Sequence, residues 1–256
     1  MDFTKFVSML ENKGLYFPRI DQLGDPFEGS FSRANEPLLR QQYSEAVEHD
    51  KKTFLRDLIE VQPQIRRHVK NYRKWVFVNC WHISDRESAA MWKLYTKSNE
   101  AVSIQSTYEK LRASLPTDSV YVGTVRYIDY ENEFLPPTNI FQPFMHKRKS
   151  FEHERELRAL FTVPSTDIPA AQQGEEPPYK GAWKKIHLPD LVEGVFIAPS
   201  APTWLADLTS RILDRYDLRI SVMQSSLDAP PSSTTLICVC AMSSGRIKRL
   251  DSCLEK

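Results

Sequence analysis

The chain has 256 residues, 41% hydrophobic and 26% charged, and its formal net charge is +1. That balance fits one globular domain over residues 1–256 and excludes any overall electrostatic pull towards nucleic acid or an anionic membrane. No apolar run approaches the ~18 residues of a membrane span, Met1–Lys5 does not open a signal peptide, and no Pro/Gly/Ser linker divides the chain, so a cytoplasmic protein with no membrane partner is expected.

The cysteines are Cys80, Cys238, Cys240 and Cys253. Cys80 and the Cys238/Cys240 pair lie in strand-like apolar runs and read as small buried hydrophobes. Cys238-Val239-Cys240 lacks the CxxC spacing of zinc and redox sites, so no metal is expected and a reducing compartment fits.

Phe3, Phe6, Val7 and Leu10 recur at helical spacing, which predicts an opening helix capped by Asp2 and ended by Gly14. Leu15–Phe17 reads as a short strand stopped by Pro18. Gly24-Asp25-Pro26-Phe27-Glu28-Gly29 is a turn that holds two carboxylates three residues apart. Asp25 there accepts backbone N–H bonds, or joins Glu28 at the rim of a pocket. Leu38, Leu39, Tyr43, Val47, Phe54, Leu58 and Ile59 stripe a helical pattern over residues 37–60, and Pro63 interrupts it. The pattern resumes from Ile65 to Trp75 with Arg66, Arg67, Lys70, Arg73 and Lys74 and no acid. These cations are a solvated face or a contact for nucleic-acid phosphates.

Trp75–Ser84 is the clearest buried strand. Ser84 and Glu87 have capping-box spacing, which predicts a helix from about Asp85 with Met91, Trp92, Leu94 and Tyr95 on its apolar side. His82 lies just before this junction, where exposed backbone N–H groups suit an anion. Strands are predicted at Ala101–Ser106 and Val120–Tyr130, with a short helix from Thr107 to Leu115 between them.

After a proline-bearing loop over residues 132–144, the twelve residues Lys147–Arg158 carry nine ionisable side chains. At strand spacing Glu154, Glu156 and Arg158 share one face. That face is either a ladder that keeps a sheet edge soluble or a site for something polar. Pro164–Gly181 reads as a mobile hairpin tip or flap. Val192–Ala198, Trp204–Tyr216 and Ile220–Met223 form a strand–helix–strand pattern that predicts one βαβ crossover, without the glycine fingerprint of a Rossmann nucleotide site.

The expected fold is therefore α+β. Its mixed central sheet draws on residues 76–83, 101–106, 120–129, 155–163, 193–198 and 235–241. A helical lobe over residues ~37–74 lies to one side, and the βαβ crossover sits near the C-terminus.

Three motifs in order resemble the bacterial family called domain of unknown function 2971. They are Leu15-Tyr16-Phe17 with Gly24–Glu28, then Cys80-Trp81-His82-Ile83-Ser84 with Met91–Tyr95, then Lys147 with Phe151, Glu154, Glu156 and Arg158. The resemblance runs from residue 1 to about residue 163, with a weaker match through Val195–Ser226. Members usually carry a short strand with an aromatic–basic–aromatic signature ahead of the first helix, and it is expected to be missing here. The family brings no established activity with it and names no cofactor.

A His-bearing strand, a strand with Ser and a late Glu-x-Glu also resemble, loosely, the order of parts in ADP-ribosyltransferases. This implies an enzyme acting on a nucleotide or nucleic acid, in bacterial defence against phage. In that reading Glu154 and Glu156 are the catalytic candidates, stabilising an oxocarbenium-like centre. Asp25, Glu28, His82, Trp92, Tyr95, Lys147 and Arg158 would bind the ligand, with Trp92 or Tyr95 stacking on a ring. The alternative is a non-catalytic binding or regulatory module with a Glu/Arg-lined ligand pocket. Both readings require these residues to converge.

Overall fold

The computed structural model describes residues 1–136, 139–162 and 168–228. Phe6, Met9 and Leu10 bury while Thr4, Lys5, Glu11 and Asn12 stay exposed, so the opening apolar stripe folds as helix α1 (Phe3–Asn12). Asp2 gives it no side-chain cap and accepts the Lys97 N–H instead, at 3.0 Å. Lys13, not Gly14, takes the left-handed conformation that ends the helix (φ 45°). Gly14 is needed for a different reason. It opens strand β1 (Gly14–Pro18), which pairs antiparallel with β8 (Gly181–Lys185), and a Cβ there would lie 2.5 Å from the Lys184 carbonyl oxygen.

The fold is α+β. In one three-stranded sheet β7 (Glu156–Thr162) lies between β2 (Val76–His82) and β4 (Tyr121–Thr124), antiparallel to both. In another, β9 (Gly194–Ile197) is antiparallel to β3 (Val102–Gln105) and parallel to β10 (Ser221–Gln224). Helix α8 (Trp204–Arg215) joins the parallel pair, which is the expected βαβ crossover. Two short strands, β5 (Arg126–Ile128) and β6 (His146–Arg148), pair parallel by themselves.

The strands expected in one central sheet are thus shared among several. The run 120–130 shows why. At Val125 the N–H turns to the Glu156 carbonyl (2.9 Å), so the run breaks into β4 and β5, which find different partners. The strand expected at 235–241 lies outside the described residues, as do Cys238, Cys240 and Cys253.

The helical lobe is present as α2 (Asn35–Glu45) and α3 (His49–Tyr72). It has its own small apolar centre at Leu39, Ala46 and Leu55, with Tyr43, Leu58, Ile59 and Phe134 against it. Pro63 does not interrupt the lobe. It sits inside the 24-residue α3, which gives up one backbone bond there yet runs on to Tyr72, because Leu55, Gln62, Val69 and Tyr72 hold it buried on both sides of the proline.

Helix α4 (Ala89–Tyr95) begins later than the 84–87 spacing predicts. Ser88 Oγ accepts the Met91 N–H at 3.3 Å, while Ser84 Oγ serves only the Arg86 N–H. Part of the stretch read as a flap is regular: α6 (Ile168–Gln173) lies against α3, and Trp75 Nε1 donates to the Glu175 carbonyl at 2.9 Å. A contiguous core runs from Phe6 and Phe17 through Phe77 and Leu160 to Ile197 and Leu213. Among the described residues no helix is long and apolar enough to cross a membrane.

The close approach at Gly14 generates a test. Gly14→Ala is expected to cost about 1–3 kcal/mol through overpacking against backbone, read as a lower urea midpoint at unchanged slope. An unchanged midpoint would mean that β8 moves aside without penalty.

Candidate functional site: a buried charge cluster on the central strand

Alternation along β7 sends Glu156 and Arg158 to one face of its sheet and Leu157 to the other. The antiparallel register places His82 opposite Glu156 and Cys80 opposite Arg158. Glu154 ends the 3₁₀ turn Lys149–Glu154, and Arg155, in the left-handed region at φ 40°, swings the chain into β7. Lys147 arrives on β6. Glu28 arrives on the turn between Gly24 (φ 88°) and Gly29 (φ 69°). At Gly29 a Cβ would lie 2.4 Å from the Phe144 ring, so only glycine lets this turn settle onto the sheet.

Arg158 is fully buried, and each of its five N–H groups has an acceptor. Nε and Nη2 donate to the two Glu156 oxygens at 2.6 and 3.0 Å. Nη1 and Nη2 donate to the two Glu28 oxygens at 2.9 and 3.2 Å, and Nη1 also to the Phe144 carbonyl at 2.5 Å. Two carboxylates therefore clamp one guanidinium from two sides. Lys147 Nζ donates to Glu154 and lies 3.3 Å from Glu156 Oε2 and 3.5 Å from Glu28 Oε1, with the Phe151 ring beneath it at 4.9 Å. Two cations face three carboxylates, so the fully ionised cluster has one excess negative charge.

Asp25 fastens the same turn separately. It accepts the Phe27 N–H at 3.0 Å and Arg148 Nη2 at 2.9 Å, and the Arg148 guanidinium covers the Phe27 ring at 4.6 Å.

The electrostatics follow from this geometry. Burial alone would raise the Glu156 carboxyl, but the Arg158 charge and hydrogen bonds, with Lys147, hold it below its ordinary range. Burial would lower the Lys147 ammonium, but Glu156, Glu154 and Glu28 raise it. Burial, with the Glu154 charge nearby, raises the Tyr95 phenol. Cys80 keeps exposed surface, contrary to its reading as a buried hydrophobe. Protein packed around its side chain raises its thiol pKa, Arg158 opposes this, and Glu156 and Glu28 add to it.

Five of the residues singled out from the sequence join one network, Glu28, Lys147, Glu154, Glu156 and Arg158; Tyr95 lies near enough to Glu154 for that charge to act on its phenol, and Asp25 sits on the turn that carries Glu28 but bonds Arg148. His82 touches it through backbone, its Nδ1–H donating to the Glu154 carbonyl at 2.6 Å. Trp92 is engaged elsewhere. Its indole N–H donates to Glu87 at 3.3 Å, and Glu87 in turn accepts from Ser225 Oγ at 3.1 Å, so Trp92 ties α4 to the segment after β10.

The candidate site residues do not include Tyr127, Arg148 or the Phe144 carbonyl, and Phe151 enters only through the third motif. The Tyr127 hydroxyl accepts the Glu156 N–H at 2.8 Å, and its place on the alternating 120–130 strand was the available signal. Arg148 is one of nine ionisable side chains in the twelve residues Lys147–Arg158, and nothing in the pattern sets it apart.

A cleft of about 500 Å³ opens on the opposite face of the sheet. Trp81, Leu157, Thr124, Ser106 and Tyr108 line it, with His82 at its edge and none of the clustered carboxylates. The five basic residues of α3 and its end do not form one patch. Arg66, Lys70 and Arg73 line a second cleft of about 380 Å³, Arg67 is exposed outside it, and Lys74 pairs with Glu176 at 2.6 Å. Among the described residues no group of His, Cys, Asp or Glu is arranged to hold a metal ion. No family model, curated protein or solved structure matches this chain.

Two stability outcomes follow. Arg158→Met is expected to cost about 3–5 kcal/mol in urea unfolding, because Glu28 and Glu156 would remain buried without their shared cation. The pH profile should fall on both sides. Glu156 titrates below its ordinary 4.5, so its contribution is complete above that value and is lost as pH falls through the lower folded pKa. Lys147 titrates above its ordinary 10.5, so its contribution is complete below that value and is lost as pH rises through the higher folded pKa. Unfolding free energies across pH for wild type and Glu156→Gln check the acid limb, which should flatten in the variant.

Proposed function

We propose that this protein is a binding module for a nucleoside-like small molecule, engaged at the edge of the charge cluster where Glu154 and Tyr95 meet solvent. The observation that carries this reading is the saturation of Arg158 and Glu156. All five guanidinium N–H groups and both Glu156 oxygens are committed to each other, to Glu28, to Lys147 and to the Phe144 carbonyl. A ligand that recruited either residue would break a buried ion pair at a cost of about 3–5 kcal/mol. Glu154 differs. Its side chain is 11% exposed, against 5% for Glu156 and 0% for Arg158 and Glu28, and its charge acts on the nearby phenol of Tyr95, a residue that is half exposed. A carboxylate beside an accessible aromatic face suits a ligand with hydrogen-bond donors and a ring to stack.

The resemblance to the domain of unknown function 2971 family belongs to this proposal, and with it a bacterial cytoplasmic setting and a role in recognising a nucleotide during phage infection.

A second reading, turnover of a nucleotide in the manner of an ADP-ribosyltransferase, is favoured by the same pair. Glu154 next to Lys147 and Tyr95 is a fixed negative group at an accessible edge, able to stabilise a developing positive centre. In that reading Glu154 takes the catalytic role and Glu156 keeps the scaffold in place.

Glu154→Gln preserves shape and removes the charge, and calorimetric titration with adenosine and NAD, alongside product analysis after incubation with NAD, separates the readings. Saturable binding without product, weakened about tenfold in Glu154→Gln, supports the module. NAD consumption that falls roughly 10²–10³-fold in Glu154→Gln at unchanged melting temperature would replace it with the enzyme. Absence of binding by both probes would sink both readings. Glu156→Gln is expected to melt early while keeping full binding per folded molecule.

A further inference from the structure

We propose that the cleft between helix α3 and the loop Pro26–Arg33 is a binding site for the phosphate of a small phosphorylated molecule. Arg66 and Lys70 stand one turn apart on α3, Arg73 follows three positions on as the residue that ends the helix, and all three line this cleft, with Arg33 facing them from the loop. Phe27 and Phe31 supply apolar wall. Among the described residues, no acidic side chain lines the cleft. The described counter-charge at its mouth is Glu131, which lies 3.0 Å from Arg33 with both side chains largely exposed.

The cations are positioned without being neutralised. Arg66 Nη2 donates to the Ser32 carbonyl at 3.1 Å. Arg73 Nη1 and Nη2 donate to the Pro26 and Asp25 carbonyls at 3.2 and 3.4 Å. Backbone carbonyls fix the direction of a guanidinium but leave its charge whole, and among the described residues neither arginine nor Lys70 has a carboxylate partner. The Arg73 Nε–H is buried and has no acceptor among the described residues. An unsatisfied buried donor carries a desolvation cost that an acceptor removes.

Several like charges held close together in a concavity repel one another in the free protein, and an anion relieves that repulsion. Pre-set guanidinium forks match phosphate oxygens. A volume of about 380 Å³ admits a phosphate with one ring system, whereas a duplex needs a longer surface. The site is separate from the Glu154 edge: the same turn sends Glu28 to Arg158 and turns Pro26, Phe27 and Gly29 towards this cleft.

Lys70 is exposed and makes no described bond, so Lys70→Glu changes the cleft without endangering the fold. Arg67→Glu, on the same helix but outside the cleft, changes the net charge equally and serves as the control. Calorimetric titration at low salt with AMP and with pyrophosphate is the experiment. One-to-one binding of pyrophosphate is expected, together with AMP binding that excess adenosine does not compete away, both weakened about tenfold or more by Lys70→Glu and unaffected by Arg67→Glu, with melting temperatures unchanged. Absence of binding would overturn the proposal, as would equal weakening by the two variants, the mark of unspecific attraction. Binding of single-stranded oligonucleotides that strengthens with length, without binding of AMP, would overturn it in favour of a nucleic-acid surface.

Discussion

One fully desolvated guanidinium determines how the centre of this protein is built. Placing Arg158 inside a sheet-covered interior costs several kcal/mol unless every donor is met, and the chain meets all five with two carboxylates and a carbonyl. Much of the local architecture serves that requirement. The glycines at 24 and 29 allow the turn that delivers Glu28, the Phe144 carbonyl comes from the 3₁₀ turn before β6, and Lys147 on β6 offsets the surplus of carboxylate. Arg148 and Asp25 then fasten the turn from outside.

This explains which parts of the site were legible in the sequence. Alternation placed Glu154, Glu156 and Arg158 on one face, which holds for Glu156 and Arg158, whereas Glu154 reaches them from the 3₁₀ turn before β7; the turn glycines placed Asp25 and Glu28 at a fixed edge, as the structure has them. What alternation cannot tell is whether a charged face meets water or protein. A surface ladder and a buried cluster have the same pattern, and the difference here is made by the turn that brings Glu28 and the short β5–β6 pair that brings Lys147. The saturation of Arg158 was invisible for the same reason.

Other departures have local causes. Two serines four positions apart competed to cap α4, and Ser88 prevailed. Pro63 was read as a break because a proline removes one helical bond, yet the burial of Leu55 and Val69 on either side outweighs that loss. The βαβ crossover and the first helix were readable because long, regular apolar spacing leaves few alternatives. Short strands such as β5 and β6 were not, since three residues carry no period.

The 130 positions that separate Glu28 from Arg158 bear on the order of folding. A contact that distant closes a very large loop, and until it closes the guanidinium and both carboxylates are better served by water. The strand pairing of β2, β7 and β4 spans shorter separations and can form while its charged face is still hydrated. The turn then arrives as the last piece and expels the water, so the barrier for this step should depend on how readily the carboxylates shed their hydration.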